Sequence, residues 1–221
     1  MTTTARMSMH ESWQVVAEQR LALADLLAGL SEADWEKPSL CAGWRVRDVA
    51  AHVTLIPIAP SPSSLLVDFV KARGNYARFN TVASRRRAVR TPEQLVHDLR
   101  STAESRTVPR PASPANVMWD LLVHAQDIAI PLHIHFPTPP RAGAAAATRI
   151  WELRWPFAFG ARRRLESFTL TATDADWTIG AGPEIAGPIS SILLLLTGRS
   201  EAATPLLAGD GLRLLAPSAA G

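Results

Sequence analysis

The chain is 221 residues long, with 47% hydrophobic and 19% charged side chains. That is enough apolar material for a packed core, and it excludes collagen-like, disulfide-framework and strongly charged disordered classes. The formal net charge is only +3 although the isoelectric point is about 9.7, and 21 of the 23 basic residues are Arg; a charge this mild, with no aromatic-interleaved basic element, argues against nucleic acid as a partner.

Trp13, Val16, Leu23, Leu26, Leu27 and Leu30 recur at three- and four-residue spacing and predict an amphipathic helix from about Met9 to Leu30. Gly29 falls at its end, and Ser31 is placed to cap a short turn that holds Trp35. Residues 37–43 form a connector. The next helix is expected from Val46 to about Ile56, with Val46, Val49, Ala50 and Val53 on one face, before Pro57, Pro60 and Pro62 break the chain. A further helix is expected over Ser63–Phe79, and Ser84–Arg90 as a solvated connector. Thr91-Pro-Glu-Gln94 is a helix start with Thr at the N-cap, Pro at the first position and a capping-box Gln. That helix is expected to run to about Thr107. An apolar helix follows from about Ala115 to Ile130, stopped by Pro131, and Pro137, Pro139 and Pro140 mark a linker.

Beyond the linker the pattern changes. Arg141–Trp155 reads as a helix with an alanine run, Phe168–Thr173 as a β-branched strand, Asp174–Asp176 as a turn and Trp177–Ile179 as a second strand. Glycines and prolines from Gly180 to Pro188 mark a loop. Ile189–Thr197 is a short buried helix, Glu201–Ala208 another short helix, and Leu212–Leu215 a last strand. The expected fold class is α+β, mainly α, with a helical bundle over residues 1–137 and a small α/β domain over 138–221.

Residues able to do chemistry concentrate in the bundle. Asp120 and His124 are four apart on one helix face, within an apolar stretch where an unpaired carboxylate or imidazole costs several kcal/mol. His52 stands among apolar neighbours on another helix. Two His and one carboxylate form the ligand set of a catalytic metal with an open position, and antiparallel helices can bring such side chains to one point. Asp127, three residues after His124, is an alternative ligand or an outer partner that orients His124. His133 and His135 read as surface residues of a Pro-rich exit, and His10 and His97 as structural or solvated. Cys41 reads as a small packing residue, Trp44 and Trp119 as core anchors, and Arg85–Arg87 and Arg162–Arg164 as solvated faces. A lone cysteine excludes an intrachain disulfide and a Cys-based zinc knuckle. Residues 1–10 lack the apolar core of a signal peptide, and the longest apolar run, Ile192–Leu196, is too short to span a membrane. The expected setting is reducing and cytoplasmic.

The segment Leu40-Cys-Ala-Gly-Trp-Arg-Val-Arg-Asp-Val-Ala-Ala-His52 resembles the Cys-x-Gly-Trp-x-Val-x-Asp-Val-x-x-His signature of the mycothiol-dependent maleylpyruvate isomerase family. Asp120-Leu-Leu-Val-His-Ala-Gln-Asp127 is similar to that family's second metal segment, and Leu170–Pro188 with Leu195–Arg199 to its C-terminal α/β domain. The resemblance implies a DinB-like metal-binding four-helix bundle followed by that small domain. It implies a divalent metal, zinc foremost, held by His52, Asp120 and His124, where the family often has Glu in place of Asp120. It also implies mycothiol as cofactor or co-substrate, a small acidic electrophile as substrate, and thiol addition and elimination or S-transfer as the reaction. Arg199 is then the residue expected to hold the acidic substrate. The competing readings are a non-catalytic metal- or ligand-binding regulatory module and a hydrolase using metal-bound water.

Overall fold

The structure, a computed structural model, describes residues 2–58, 67, 70–71, 76–108, 113–153 and 159–215. It is mainly helical, with one small mixed sheet in the C-terminal part. No helix among the described residues is long and apolar enough to cross a membrane.

Helix α1 (Met9–Ala28) buries Trp13, Val16, Leu23, Ala24 and Leu27, the stripe its spacing predicts. Its start is held reciprocally: the Glu11 amide donates to Ser8 Oγ and the Ser8 amide to Glu11 Oε2. Those bonds, with Arg141 beside them, pull the Glu11 carboxyl down to about 2. Ser31 and Asp34 form a full capping box on α2 (Glu32–Glu36), which buries Trp35. Helix α3 (Val46–Ile58) follows, with Pro57 in its last turn.

Helix α4 (Tyr76–Arg87) corrects one expectation. Of the helix expected over Ser63–Phe79, most of 63–75 lies outside the described residues. The segment expected as a solvated connector, Ser84–Arg90, instead completes α4 and the turn after it. Ala83, Ser84 and Ala88 are buried, while Arg85 and Arg86 point outward. Arg87 and Arg90 both grip the Asp98 carboxylate, Arg87 at 2.6 Å and Arg90 at 2.9 Å. The arginine run hid a helix whose inner face uses small side chains.

Helix α5 (Pro92–Ser101) starts as expected, with the Thr91–Gln94 capping box in place, and stops short of Thr107. The hydroxyls of Ser101 and Thr102 both donate to the Asp98 carbonyl. Arg20, buried on α1, then donates to the carbonyls of Thr102, Ala103 and Ser105 at 3.2, 3.1 and 2.8 Å. This guanidinium holds the chain just past α5 and complements the negative end of the helix dipole. Burial lowers its pKa to about 10. Helix α6 (Pro114–Ala129) runs into a 3₁₀ turn, Ile130–Leu132, and His133 stops it in a left-handed conformation.

In the C-terminal part, α7 (Pro140–Glu152) and α8 (Gly160–Leu165) precede a three-stranded sheet in the order β2-β1-β3. Strand β1 (Thr169–Ala172) pairs antiparallel with β2 (Thr178–Gly180), with Leu170 opposite Ile179. It pairs parallel with β3 (Glu184–Gly187), with Leu170 opposite Ile185. Strand β3 replaces part of the loop expected over Gly180–Pro188. Its glycine serves close approach, since a Cβ on Gly187 would lie 2.6 Å from the Leu206 carbonyl oxygen. On α7 the small residues also allow close approach: a Cβ on Gly143 would meet Ile189 at 2.7 Å. Ile189 opens α9 (Ile189–Leu196), and its amide donates to Asp174 Oδ1. Thr148 on α7 accepts from the Trp177 indole at 3.0 Å. After α10 (Ser200–Ala203), the expected last strand at Leu212–Leu215 is corrected to helix α11 (Asp210–Leu214). Four residues are too few to separate a two-residue from a 3.6-residue period, and buried Gly211 packs this turn against the Pro183 and Glu184 carbonyls.

By spatial contact the chain falls into two compact units. One is Trp13–Val117 with His124–Phe136; the other is Met1–Ser12, Met118–Val123 and Pro137–Gly221.

Arg20→Met keeps the apolar stem and removes the donors. It is expected to lower the stability of the protein by at least about 2 kcal/mol, because partly buried carbonyls lose charged partners; a chemical-denaturation midpoint unchanged from wild type refutes this account of the α5 terminus.

Candidate metal centre

The site begins in the loop before α3. Trp44 donates its amide to the Cys41 carbonyl at 2.9 Å, and Gly43 between them takes a left-handed φ of 73°. The Leu40 amide donates to the backbone carbonyl of Asp127 at 3.1 Å, so the loop is pinned to α6. Asp48 then receives the first turn of α3. Its Oδ2 accepts the Arg45 amide and Nε, both at 3.0 Å, and its Oδ1 accepts Arg45 Nη2 at 3.1 Å. Burial pushes the Asp48 carboxyl up, but the bonds from Arg45 outweigh it and leave the pKa below the usual carboxylate range. Asp48 thus supplies the cap that Arg45, as N-cap residue, cannot give with its own side chain.

One turn along α3 stands His52, half-buried. Its ring meets the edge of Trp44 at 5.5 Å and the His124 ring at 4.9 Å, with interplanar angles of 74° and 79°. His52 Nδ1 lies 3.2 Å from Ser84 Oγ on α4. Asp120, His124 and Asp127 share one face of α6 at i, i+4 and i+7. Asp127 is fully buried among apolar neighbours, a placement that demands partners. It has them: Oδ2 lies 2.8 Å from His124 Nδ1 and accepts from Cys41 Sγ at 3.1 Å.

The structure therefore brings together the three residues singled out from sequence. One ligand atom each from His52, Asp120 and His124 can be chosen so that all lie within 4.8 Å of one another. Cys41, His124 and Asp127 satisfy the same criterion. Two imidazoles and a carboxylate suit a divalent ion of borderline softness such as zinc, with a coordination position left for a fourth ligand. Asp127 stands at the Nδ1 edge of His124 and also belongs to the second group, so both roles its spacing allowed, ligand and outer partner of His124, are open to it.

Arg199 is the N-cap residue of α10, half-buried, and its Nη1 donates to the Thr197 carbonyl at 2.8 Å. His10, His97, His133 and His135 are exposed. Trp119 packs edge-on to Phe159 at 5.3 Å, and Arg162 lies over the Trp151 ring at 5.4 Å. Two participants escaped the sequence reading. Cys41 was expected only to pack, since no His is near it in sequence; its partners come from α6. Ser84 was assigned to a solvated connector, and the one available signal was a small polar residue between Ala83 and Ala88 in an otherwise basic stretch.

Comparison with known proteins places this geometry in context. Residues 16–119 match the sequence model of the family described as mycothiol maleylpyruvate isomerase N-terminal domain. That span includes Cys41 and His52 and ends one residue before Asp120. No curated protein matches the sequence. Two solved structures share the fold: the mycothiol-dependent maleylpyruvate isomerase, with a TM-score of 0.59, and the H52A mutant of that isomerase, with a TM-score of 0.58. Each is 15% identical in sequence, and each match covers 93% of this chain and 94% of the other.

Asp48→Ala removes the α3 cap and is expected to lower stability by about 1–2 kcal/mol at neutral pH. Because the folded-state pKa of Asp48 is depressed, its contribution is present above about pH 4, the unfolded value, and is lost as pH falls below it. The difference between wild type and Asp48→Ala in denaturation midpoint is therefore expected to shrink on acidification; a difference independent of pH between 7 and 3 contradicts this role.

Proposed function

We propose that the chain is an enzyme of the mycothiol-dependent maleylpyruvate isomerase type, acting on a small acidic electrophile; residues 16–119 match the model of the mycothiol maleylpyruvate isomerase N-terminal domain, which supports this reading. The observation that carries the reading is the convergence of His52, Asp120 and His124, from α3 and α6, in a chain with this domain and this fold. In the proposal these three side chains hold a divalent ion, with zinc favoured by the donor set. A bound ion of this kind favours the thiolate form of a sulfur ligand, whereas a free thiol with a pKa of about 8.5 is mostly protonated at neutral pH.

The chain's own residues have distinct tasks in this reading. His52 and His124 face each other edge to face and define one wall. Trp44, packed edge-on to His52, shields that ring from water on one side. Asp120 supplies negative charge and offsets part of the ion's charge. Arg199 carries a guanidinium able to hold a carboxylate of the substrate. The reaction is addition of the thiol to an activated double bond, rotation and release of the thiol, or retention of the new S–C bond as S-transfer. The proposal divides the chain into a bundle over 1–137 and a small domain over 138–221.

Elemental analysis of protein purified without chelator is expected to give about one zinc per chain, with none in the His52→Ala, His124→Ala double variant. Incubation with mycothiol and maleylpyruvate is then expected to give thiol-dependent conversion. Metal-free wild-type protein removes the metal reading; bound metal with turnover independent of thiol favours the hydrolase reading instead. Arg199→Ala is expected to raise KM for acidic substrates roughly tenfold or more, in line with the loss of a charged hydrogen bond; unchanged kinetics exclude it from the site.

A further inference from the structure

We propose that Ser84 and the Cys41–Asp127 pair are positioning residues that hold the Nδ1 edges of His52 and His124, so that each imidazole presents Nε2 to a shared divalent cation. The inference rests on the metal-site reading above and adds Asp127 from α6 together with Ser84 and Cys41, from α4 and the loop before α3, which contribute no ligand to it.

A neutral imidazole has one nitrogen that donates and one that keeps a lone pair, and the partner of the first decides which is which. A carboxylate oxygen accepts. Asp127 Oδ2, 2.8 Å from His124 Nδ1, therefore places the ring proton on Nδ1 and the lone pair on Nε2. Cys41 Sγ donates to the same oxygen at 3.1 Å, and the Leu40 amide holds the Asp127 backbone carbonyl. The accepting oxygen is thus fixed by a thiol in front and by the peptide behind. Ser84 Oγ lies 3.2 Å from His52 Nδ1 and is fully buried; in the proposed arrangement this hydroxyl accepts the Nδ1 proton and leaves the Nε2 lone pair for the cation. The two rings lie 4.9 Å apart at 79°, with Nδ1 of each turned to a buried oxygen. Ser84 is itself fixed by its helix, whose Arg87 reaches both Asp98 on α5 and Thr54 on α3. Outer partners of this kind typically change metal affinity 10–100-fold when removed.

The same geometry also allows Cys41, His124 and Asp127 to act as ligands themselves, and one experiment separates the two arrangements. Apo protein is titrated with cobalt(II) chloride and followed by its visible d–d spectrum and by competition with a chelator. Ser84→Ala and Asp127→Asn are each expected to weaken cobalt binding about 10–100-fold, with Ser84→Thr restoring it through its hydroxyl. Asn at 127 can turn an amide N–H toward Nδ1 and favour the wrong tautomer, a change that packing alone does not produce. Cys41→Ser is expected to stay within a few-fold of wild type, because a hydroxyl can donate to the same oxygen, and no sulfur-to-cobalt charge-transfer band is expected in either protein. Wild-type affinity in both Ser84→Ala and Asp127→Asn overturns the positioning roles, as does a charge-transfer band present in wild type and absent in Cys41→Ser. Cobalt binding that survives in His52→Ala and His124→Ala, or wild type that binds none, overturns the metal site itself and the inference with it. Circular dichroism of each apo variant gives the folded fraction to which affinities are referred.

Discussion

A histidine set into an apolar helix bundle needs a partner for each ring nitrogen, and most of the site's architecture meets that need. Leaving such a nitrogen unpaired in the interior costs more than a typical hydrogen bond returns. His124 has the fully buried Asp127 at one edge, and His52 has the fully buried Ser84. The two rings meet edge to face, and one ligand atom of each lies within 4.8 Å of the other's and of an Asp120 carboxylate oxygen. A site that brings charge and lone pairs to one point follows from local satisfaction of two rings, and it needs no special backbone geometry at the histidines.

The same rule explains how the helices around the site are fixed. Buried or half-buried guanidinium groups recur, and each finds oxygen: Arg20 the carbonyls at the end of α5, Arg87 the Asp98 carboxylate and the Thr54 hydroxyl. These contacts run between helices and select one packing, a role for which directional groups suit better than aliphatic side chains of equal size. Small residues do the complementary work. Ala83 and Ala88 let α4 approach its neighbours, and Gly143 lets α7 approach Ile189.

Legibility from sequence tracked the range of the interaction that decides each feature. The Thr91–Gln94 and Ser31–Asp34 caps, the stripe on α1, the apolar α6 and the β1–β2 hairpin are settled by residues within a few positions of one another, and pattern alone finds them. The shared face of Asp120, His124 and Asp127 is local in the same way. Their convergence with His52 is not: it depends on how α3 and α6 pack, and the resemblance to a known family supplied that placement. What escaped was tertiary in origin. Strand β3 exists because β1 and Ala208 pair with it, against its own glycine content. The chain just past α5 is held by an arginine some eighty residues earlier. Cys41 and Ser84 acquire their roles from side chains far away in sequence.

Asp127 is tied to the Leu40–Cys41 segment twice, once through its backbone carbonyl and once through its carboxylate. Neither end of that connection keeps its meaning alone. A half-buried thiol at 41 without an acceptor at 127 loses its 3.1 Å partner, and a carboxylate at 127 without its donors is a buried charge. The two positions therefore act as one unit, and the loop before α3 and the face of α6 are fixed to each other through one side-chain pair and one backbone bond.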